Sequence, residues 1–517
     1  MRKVVLVVMD GVGVTEKKEG NAFINAKTPN IDNLLKNSPN ILIHAHGTYV
    51  GLPSDEDMGN SEVGHNAMGC GQIYSQGAKL VNEAIETKEM FNSDTWGKLV
   101  TYCKNHTLHF IGLLSDGNVH SNINHLLTML EQAKKDNVSK VRIHILLDGR
   151  DVEKQSALKY VEILENKMKE LNDDTFDSMI ASGGGRMTIT MDRYEANWSM
   201  VEKGWHTHVL GDAKKFESAK EAIETYRKEN PDIIDQDLDS FVIVKDNIPV
   251  GTINDNDSVV FFNFRGDRAI EISHAFDDEN FDKFDRIRYP KVMYAGMLQY
   301  DTEIKIPRLF LTEPPKIENT LTEELSKYNI REYAVSETQK FGHVTYFWNG
   351  NHQDKLNPEL ETWEEVDSDV ISFDKKPEMK ANEITDKLID AIKSDKYDFL
   401  RTNFPNGDMV GHTGNYEATV KGLEAVDYNI GRIIDAVNET NSILIVTADH
   451  GNSEVMINEK GEEKTSHTTN PVPFIIYNKD IKFKEGDFGL ANIAATVCDL
   501  FEIEKNLNWK ESMIETK

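Results

Sequence analysis

The chain has 517 residues, 39% of them hydrophobic and 28% charged, the balance of a soluble globular protein too long to be organised by one hydrophobic core. No apolar run approaches the ~18 residues needed to span a bilayer, and three cysteines spread along the chain argue against a disulfide framework and for a reducing, cytoplasmic compartment. A net charge of −29 argues against nucleic acid and anionic membrane as partners, yet leaves room for a small anion wherever arginines or metal ions concentrate positive charge.

Val4 to Val8 is a continuous apolar run, which predicts a central parallel strand buried on both faces. It resembles a short signal core, but it stops at Asp10 without a small-residue cleavage site. Asp10-Gly11-Val12-Gly13 opens like a dinucleotide fingerprint, and Glu16 stands where the third glycine belongs, so a nucleotide site is discounted. What remains is a carboxylate at the carboxyl end of a buried strand, where open α/β sheets place ligands. Asp10 is therefore a candidate metal ligand, with a capping or turn aspartate as the plainer reading.

Gly59-Asn60-Ser61-Glu62-Val63-Gly64-His65 follows, and it offers a serine hydroxyl between glycines. Ser61 is the candidate nucleophile. A serine reacts poorly at its free pKa, so a base, a cation or a metal must activate it. The glycines would let backbone amides approach an anion closely. Taken alone, a Gly-Asn-Ser run is more often a turn.

From about residue 79 to about 310, apolar runs again end in reactive side chains. Leu108 to Leu114 leads to His120, Val141 to Leu147 leads to Asp148-Gly149-Arg150-Asp151, and Ser258 to Asn263 leads to Phe264-Arg265-Gly266-Asp267-Arg268. Helical spacing fills the gaps, as at Ile123, Leu126, Leu127 and Leu130. A second α/β unit is expected. The loop from Gly183-Gly184-Gly185-Arg186 to Met191-Asp192-Arg193 adds two further arginines. Only 14 of the 58 basic residues are arginine, so Arg150, Arg186, Arg193, Arg265 and Arg268 near strand ends predict an anion pocket. Each of them singly reads as a surface ion pair.

Ile306-Pro307-Arg308 and Thr312-Glu313-Pro314-Pro315 make a stiffened connector and a candidate hinge. Beyond it, Ala334 to Lys340 brings a lysine to a site edge, although a lysine in such a loop is usually solvated. Ile384, Leu388, Ala391 and Ile392 mark one amphipathic helix, and Val420, Leu423, Ile430, Ile433, Ile434 and Val437 another. Tyr397 to Thr402 leads to Asp408 and His412, Ser442 to Thr447 leads to Asp449 and His450, and His467 follows. Carboxylates and imidazoles of this kind, gathered with Asp10, suit two divalent cations. A two-metal site with Ser61 at its centre is the economical hypothesis.

The ordered motifs, from Asp10-Gly11 through Gly59 to His65, Asp148 to Asp151, Asn263 to Ala269, Asp408 to Gly414 and Thr447 to Asn452 to Ser466-His467-Thr468, resemble the cofactor-independent phosphoglycerate mutases of the alkaline phosphatase superfamily. The resemblance runs from Val4 to Pro473. It departs in the His120 loop, where Asn118 and Asn122 replace a glycine and a histidine or basic residue.

The resemblance implies an α/β fold with an alkaline-phosphatase-like parallel-sheet domain, residues 1–78 plus 312–517, and an inserted α/β substrate domain, residues 79–311. It implies a monomeric cytoplasmic enzyme of glycolysis that interconverts 3-phosphoglycerate and 2-phosphoglycerate through a phosphoserine on Ser61, without bisphosphoglycerate. One metal would be held by Asp408, His412 and His467, and the other by Asp10, Ser61, Asp449 and His450. Manganese is the expected ion, with magnesium or cobalt as alternatives. His120, Arg150, Asp151, Arg186, Arg193, Arg265, Arg268 and Lys340 would meet the substrate. Asp151 would act as acid and base with Lys340 assisting, domain closure would exclude water, and His65 would be a structural neighbour. The rivals are a phosphomonoesterase or phosphopentomutase of the same superfamily, and a catalytically dead phosphate-sensing protein.

Overall fold

The computed structural model describes residues 2–515, apart from 53, 75, 76, 194, 303, 315, 459 and 460. The contacts divide the chain into two compact units, Met1–Ser75 with Pro314–Lys517, and Gln76–Glu313. The connector proposed around the prolines falls at the second boundary, with its residue 315 outside the described set.

The first unit is built on a seven-stranded sheet in the order Glu361–Val366, Glu332–Glu337, Phe399–Phe404, Val4–Met9, Ile443–Thr447, Val472–Tyr477, Asn40–Ile43. Pairing is parallel as far as Ile443–Thr447 and antiparallel for the last two strands. All six residues of Val4–Met9 are buried, as the unbroken apolar run predicts. Each such side chain contributes about 1.5–3 kcal/mol of burial before the entropy of ordering is counted. Val8 lies level with Asn403 on one side and Thr447 on the other. The three neighbouring strands therefore finish together and hand their next residues to one edge of the sheet: Asp10, the short helix Asn406–Met409 with Asp408, and Asp449-His450. Helix Ala381–Lys393 buries its predicted apolar stripe, and Tyr416–Glu439 buries Leu423, Ile430, Ile433 and Val437 while Val420 and Ile434 are half-buried against the core.

Ser61 is the first residue of the helix Ser61–Cys70. The Asn60 side chain caps this helix by accepting from the Val63 amide at 3.0 Å, and Gly71 ends it at φ 64°. The glycines around Ser61 serve packing. A Cβ on Gly59 would fall 2.0 Å from the Ala45 carbonyl oxygen, and one on Gly64 would fall 2.9 Å from the Asp449 carbonyl oxygen. They let the nucleophile helix press against the strand ends.

The second unit carries a sheet in the order Met293–Gly296, Ser258–Phe261, Leu108–Leu113, Lys140–Leu147, Asp177–Gly185, Phe241–Lys245, Lys214–Phe216, with Ile248–Pro249 paired as a hairpin on Phe241–Lys245. The strands are parallel except at the pairing of Asp177–Gly185 with Phe241–Lys245 and in the hairpin. Apolar clusters cover both faces, Phe110 and Ile143 on one and Ile111 and Leu146 on the other, which is why these strands read as continuous apolar runs.

Candidate active site

In the first unit Ser61 Oγ lies 3.2 Å from both carboxylate oxygens of Asp10, 3.0 Å from His450 Nε2 and 2.7 Å from Lys340 Nζ. All four residues are fully buried. Lys340 sits on the helix Thr338–Gly342, which follows directly from the strand Glu332–Glu337. Its ammonium also reaches Asp408 Oδ2 at 2.9 Å and Asp10 Oδ2 at 3.4 Å, so the solvated reading of this lysine does not hold. Ser61 occupies the start of its helix, where the unpaired amides and the dipole favour negative charge.

The imidazoles show how the site fits cations. His412 Nδ1 faces the Thr465 carbonyl at 2.7 Å, His467 Nδ1 the Gly59 carbonyl at 2.8 Å, and His450 Nδ1 the Gly451 carbonyl at 3.2 Å. A ring nitrogen facing a carbonyl must donate, so each neutral ring aims its Nε2 lone pair into the cluster. There Asp408 Oδ1 lies 3.1 Å from His412 Nε2 and 3.0 Å from His467 Nε2. Donor atoms of Asp408, His412 and His467 lie within 4.8 Å of one another, and so do those of Asp10, Asp408 and His450. Asp449 Oδ2 lies 3.8 Å from His450 Nε2 and 3.5 Å from His65 Nδ1, and accepts no hydrogen bond from any described residue. A divalent cation answers this convergence of acceptors, with backbone carbonyls orienting the rings from behind.

The crowded carboxylates also show in the electrostatics, where without an ion they draw a proton to His450. Burial and the charge of Asp10 push the Asp449 carboxyl up to about 8. Burial works against the charged form of His450, but Asp449, Asp408 and Asp10 outweigh it and push its pKa up to about 10. Burial would raise Asp10 too, yet Lys340 and His450 hold it well below the usual carboxylate range.

Two residues of this unit, Asn403 and Glu454, carried no sequence signal. Asn403 Nδ2 donates to Asp10 Oδ2 at 2.7 Å. Glu454 accepts from the amides of Gly13 at 3.0 Å and Asn452 at 2.9 Å, and from Asn470 Nδ2 at 3.0 Å. His65, expected as a structural neighbour, donates from Nδ1 to the Ser61 carbonyl at 2.7 Å, and burial and His343 push its pKa down to about 3.

The second unit gathers its own set. His120 is buried, and burial together with the charges of Arg186, Arg265, Arg268 and Arg193 drives its pKa far down. Arg268 is pushed down to about 10 by burial and by Arg193, with Arg186 and Arg150 adding to the effect. Such crowding of like charges is chemically suited to an anion. Asp267 Oδ1 balances it 3.2 Å from Arg265 Nε and 3.7 Å from His120 Nδ1, and Oδ2 accepts from Arg193 Nη1 at 3.2 Å. Arg186 Nη1 donates to Asp148 Oδ1 at 3.0 Å and to Asp151 Oδ2. Asp148 also accepts from the amides of Arg150 and Asp151 at 3.1 and 3.0 Å, which folds the loop after its strand. Asn118 adopts φ 59°, a conformation asparagine tolerates.

The chain matches the metalloenzyme superfamily over residues 2–505. It is 51% identical to a probable 2,3-bisphosphoglycerate-independent phosphoglycerate mutase of Leptospira interrogans over 536 aligned positions, covering 100% of this chain and 98% of that one. It is 48% identical to the 2,3-bisphosphoglycerate-independent phosphoglycerate mutase of Trypanosoma brucei brucei, over 99% of this chain and 97% of that one. Among solved structures, Leishmania mexicana phosphoglycerate mutase at low cobalt concentration matches with a TM-score of 0.62 and 46% identity, over 100% of this chain and 98% of that one. Identity of this extent along whole chains shows that this chain belongs to the 2,3-bisphosphoglycerate-independent phosphoglycerate mutase family of the metalloenzyme superfamily.

Proposed function

We propose that the chain interconverts 3-phosphoglycerate and 2-phosphoglycerate by passing the phosphoryl group through Ser61, with divalent metal ions and without bisphosphoglycerate. The observation that carries this reading is the placement of Ser61 Oγ within 3.2 Å of Asp10, His450 and Lys340 at the start of a buried helix. Asp408, His412 and His467 would hold one cation, and Asp10, Ser61, Asp449 and His450 the other. Cations so held favour the serine alkoxide and neutralise charge on the transferring phosphoryl group. The mixed carboxylate and imidazole donors suit manganese, magnesium or cobalt, and we take manganese as the native ion.

Ser61 Oγ attacks phosphorus as the bond to the 3-oxygen breaks, and Lys340, 2.7 Å from Oγ, stabilises the charge on the attacking oxygen. Ser61 enters the cycle as the alkoxide and Asp151 as the acid, and the departing 3-oxygen takes the Asp151 proton, which the second transfer returns. The bound glycerate then presents its 2-hydroxyl, Asp151 removes that proton, and the new alkoxide takes phosphorus from the phosphoserine as the Oγ–P bond breaks. One oxygen of Asp151 is fixed by Arg186, which leaves the other to face the substrate hydroxyls. Arg150, Arg186, Arg193, Arg265 and Arg268, with His120, grip the anionic groups and keep the glycerate from escaping between the two transfers.

A single chain supplies every residue of both clusters, so we take the monomer as the working unit. The cytoplasm is its proposed compartment, in keeping with three buried free cysteines. Among the described residues no helix is long and apolar enough to cross a membrane. Incubation with 3-phosphoglycerate and manganese, followed by phosphorus resonances, tests the reading. Formation of 2-phosphoglycerate without added bisphosphoglycerate is expected; inorganic phosphate alone would make the protein a phosphatase.

A further inference from the structure

A continuous chain of side-chain hydrogen bonds crosses the buried core of the second unit. Asp257 Oδ2 lies 3.0 Å from His109 Nε2, His109 Nδ1 is 2.9 Å from His144 Nε2, and His144 Nδ1 is 2.6 Å from Ser182 Oγ. Ser182 Oγ is in turn 2.7 Å from His208 Nδ1, and His208 Nε2 is 3.0 Å from Thr190 Oγ1. Every member is buried. The alignment depends on a slip of register: the pairing of Lys140–Leu147 with Asp177–Gly185 shifts between Ile143 and His144, which sets Ser182 opposite His144.

The chain has one direction. Asp257 also accepts from the amides of Thr107 at 2.9 Å and Asn254 at 2.8 Å. Burial raises its pKa, but these hydrogen bonds and His109 outweigh burial and keep it ionised. An ionised carboxylate only accepts, so His109 must donate from Nε2. A neutral His109 then accepts at Nδ1 from His144 Nε2. His144 accepts at Nδ1 from the Ser182 hydroxyl, Ser182 accepts from His208 Nδ1, and Thr190 is left to donate its hydroxyl to His208 Nε2. The reverse order would need a second proton on His109, which burial opposes, together with Arg142 and Lys140.

The far end is a strained residue in the anion-gripping loop. Thr190 lies between Arg186 and Arg193 in the sequence and adopts φ +68°, an outlier for a β-branched residue that persists only where its surroundings over-determine it. Three contacts do so: the hydroxyl bond to His208, the Thr190 amide donating to the Met200 carbonyl at 2.9 Å, and the helix Trp198–Trp205, where a Cβ on Gly204 would fall 2.1 Å from Thr190 Oγ1. The next residue, Met191, uses its carbonyl to accept from Arg268 Nη1 at 2.7 Å.

We propose that the chain from Asp257 through His109, His144, Ser182 and His208 to Thr190 is the device that sets the Arg186–Arg193 loop and, through Met191, orients Arg268 for the substrate. The assignment rests on the reading of these arginines as the substrate grip. His208 and Thr190 act as positioning residues. Because the hydrogen bonds share one direction they polarise one another, so loss of one link is felt at Thr190.

The test has two parts. Nitrogen-15 resonances of histidine-labelled enzyme report the tautomers directly: His109 and His144 protonated at Nε2 and His208 at Nδ1 are expected. His144 at Nδ1 with His208 at Nε2, or a doubly protonated His109, would overturn the direction. In the second part, Thr190→Val keeps the branched shape and removes the hydroxyl, while Thr190→Ser keeps the hydroxyl. We expect Thr190→Val to raise KM for 3-phosphoglycerate by about tenfold or more with kcat within about threefold, and Thr190→Ser to restore KM. An unchanged KM in Thr190→Val would overturn the positioning role. Absence of mutase turnover in the unsubstituted enzyme would instead contradict the assigned activity, so the two failures are distinct.

Discussion

His412 and His467 face each other with their Nε2 atoms 3.0 Å apart, while the Nδ1 of each is turned to a backbone carbonyl. Two lone pairs at that distance repel unless a positive charge sits with them, and Asp408 Oδ1 completes the triangle. Chelation is therefore expected to abolish activity, and manganese to restore it. Added ion should also raise the melting temperature, since a ligand present at 100 times its Kd stabilises the folded state by about 2.7 kcal/mol. Calorimetric scans with and without chelator check this, and an unchanged melting temperature would contradict it.

Asn403 is the only donor at hydrogen-bond distance from Asp10 Oδ2, among the described residues, that comes from the neighbouring strand Phe399–Phe404. Asn403→Ala leaves a buried carboxylate oxygen short of a partner. We expect a stability loss of about 1–3 kcal/mol in urea unfolding and a metal affinity about 10–100-fold weaker. A metal titration equal to that of the parent chain would remove Asn403 from the site.

Gly59→Ala places a methyl group 2.0 Å from the Ala45 carbonyl oxygen, so the entry to the nucleophile helix must shift. Destabilisation of about 1–3 kcal/mol is expected, with kcat falling because Ser61 moves relative to Asp10 and Lys340. Full activity with unchanged stability would mean that the close approach does not set the position of Ser61.

Acid should weaken the second unit through its buried histidines. Burial lowers the pKa of His109, against Asp257 and with Arg142 and Lys140, and lowers His144 and His208, the last to about 3. A folded-state pKa below the unfolded value of about 6.5 means that the unfolded chain takes up the proton first. The stability contributed by neutral burial is thus complete above pH ~6.5 and is lost as pH falls towards the folded values. For His208 alone the slope is roughly 1.4 kcal/mol per pH unit in that window. Urea midpoints at pH 7, 6 and 5 check the sign, and a midpoint independent of pH would contradict it.

The parts legible in the sequence are those where a buried strand is followed at once by its functional residue. Val4–Met9 into Asp10 and Ile443–Thr447 into Asp449-His450 combine an unbroken apolar run with a carboxylate or imidazole, and the strand end fixes where that residue goes. Its own stretch of sequence brings Lys340 only to a site edge, and the resemblance alone gives it a role, because its surroundings are set by long-range packing: only the fold shows Asp10 and Asp408 around its ammonium. The glycines beside Ser61 announced a close approach but not to what; the Ala45 and Asp449 carbonyls lie far away in the sequence. The chain from Asp257 to Thr190 was invisible, because His109, His144 and Ser182 are single polar residues in apolar strands joined through a one-residue slip of register, and Asp257, His208 and Thr190 lie outside the strands.

The account turns on Ser61 as the phosphoryl carrier. Enzyme turning over 3-phosphoglycerate is quenched in acid, digested and sequenced by tandem mass spectrometry. The account predicts phosphate on Ser61, and no phosphorylated peptide together with no turnover in Ser61→Ala. Phosphate on another residue, or full mutase activity in Ser61→Ala, would contradict it.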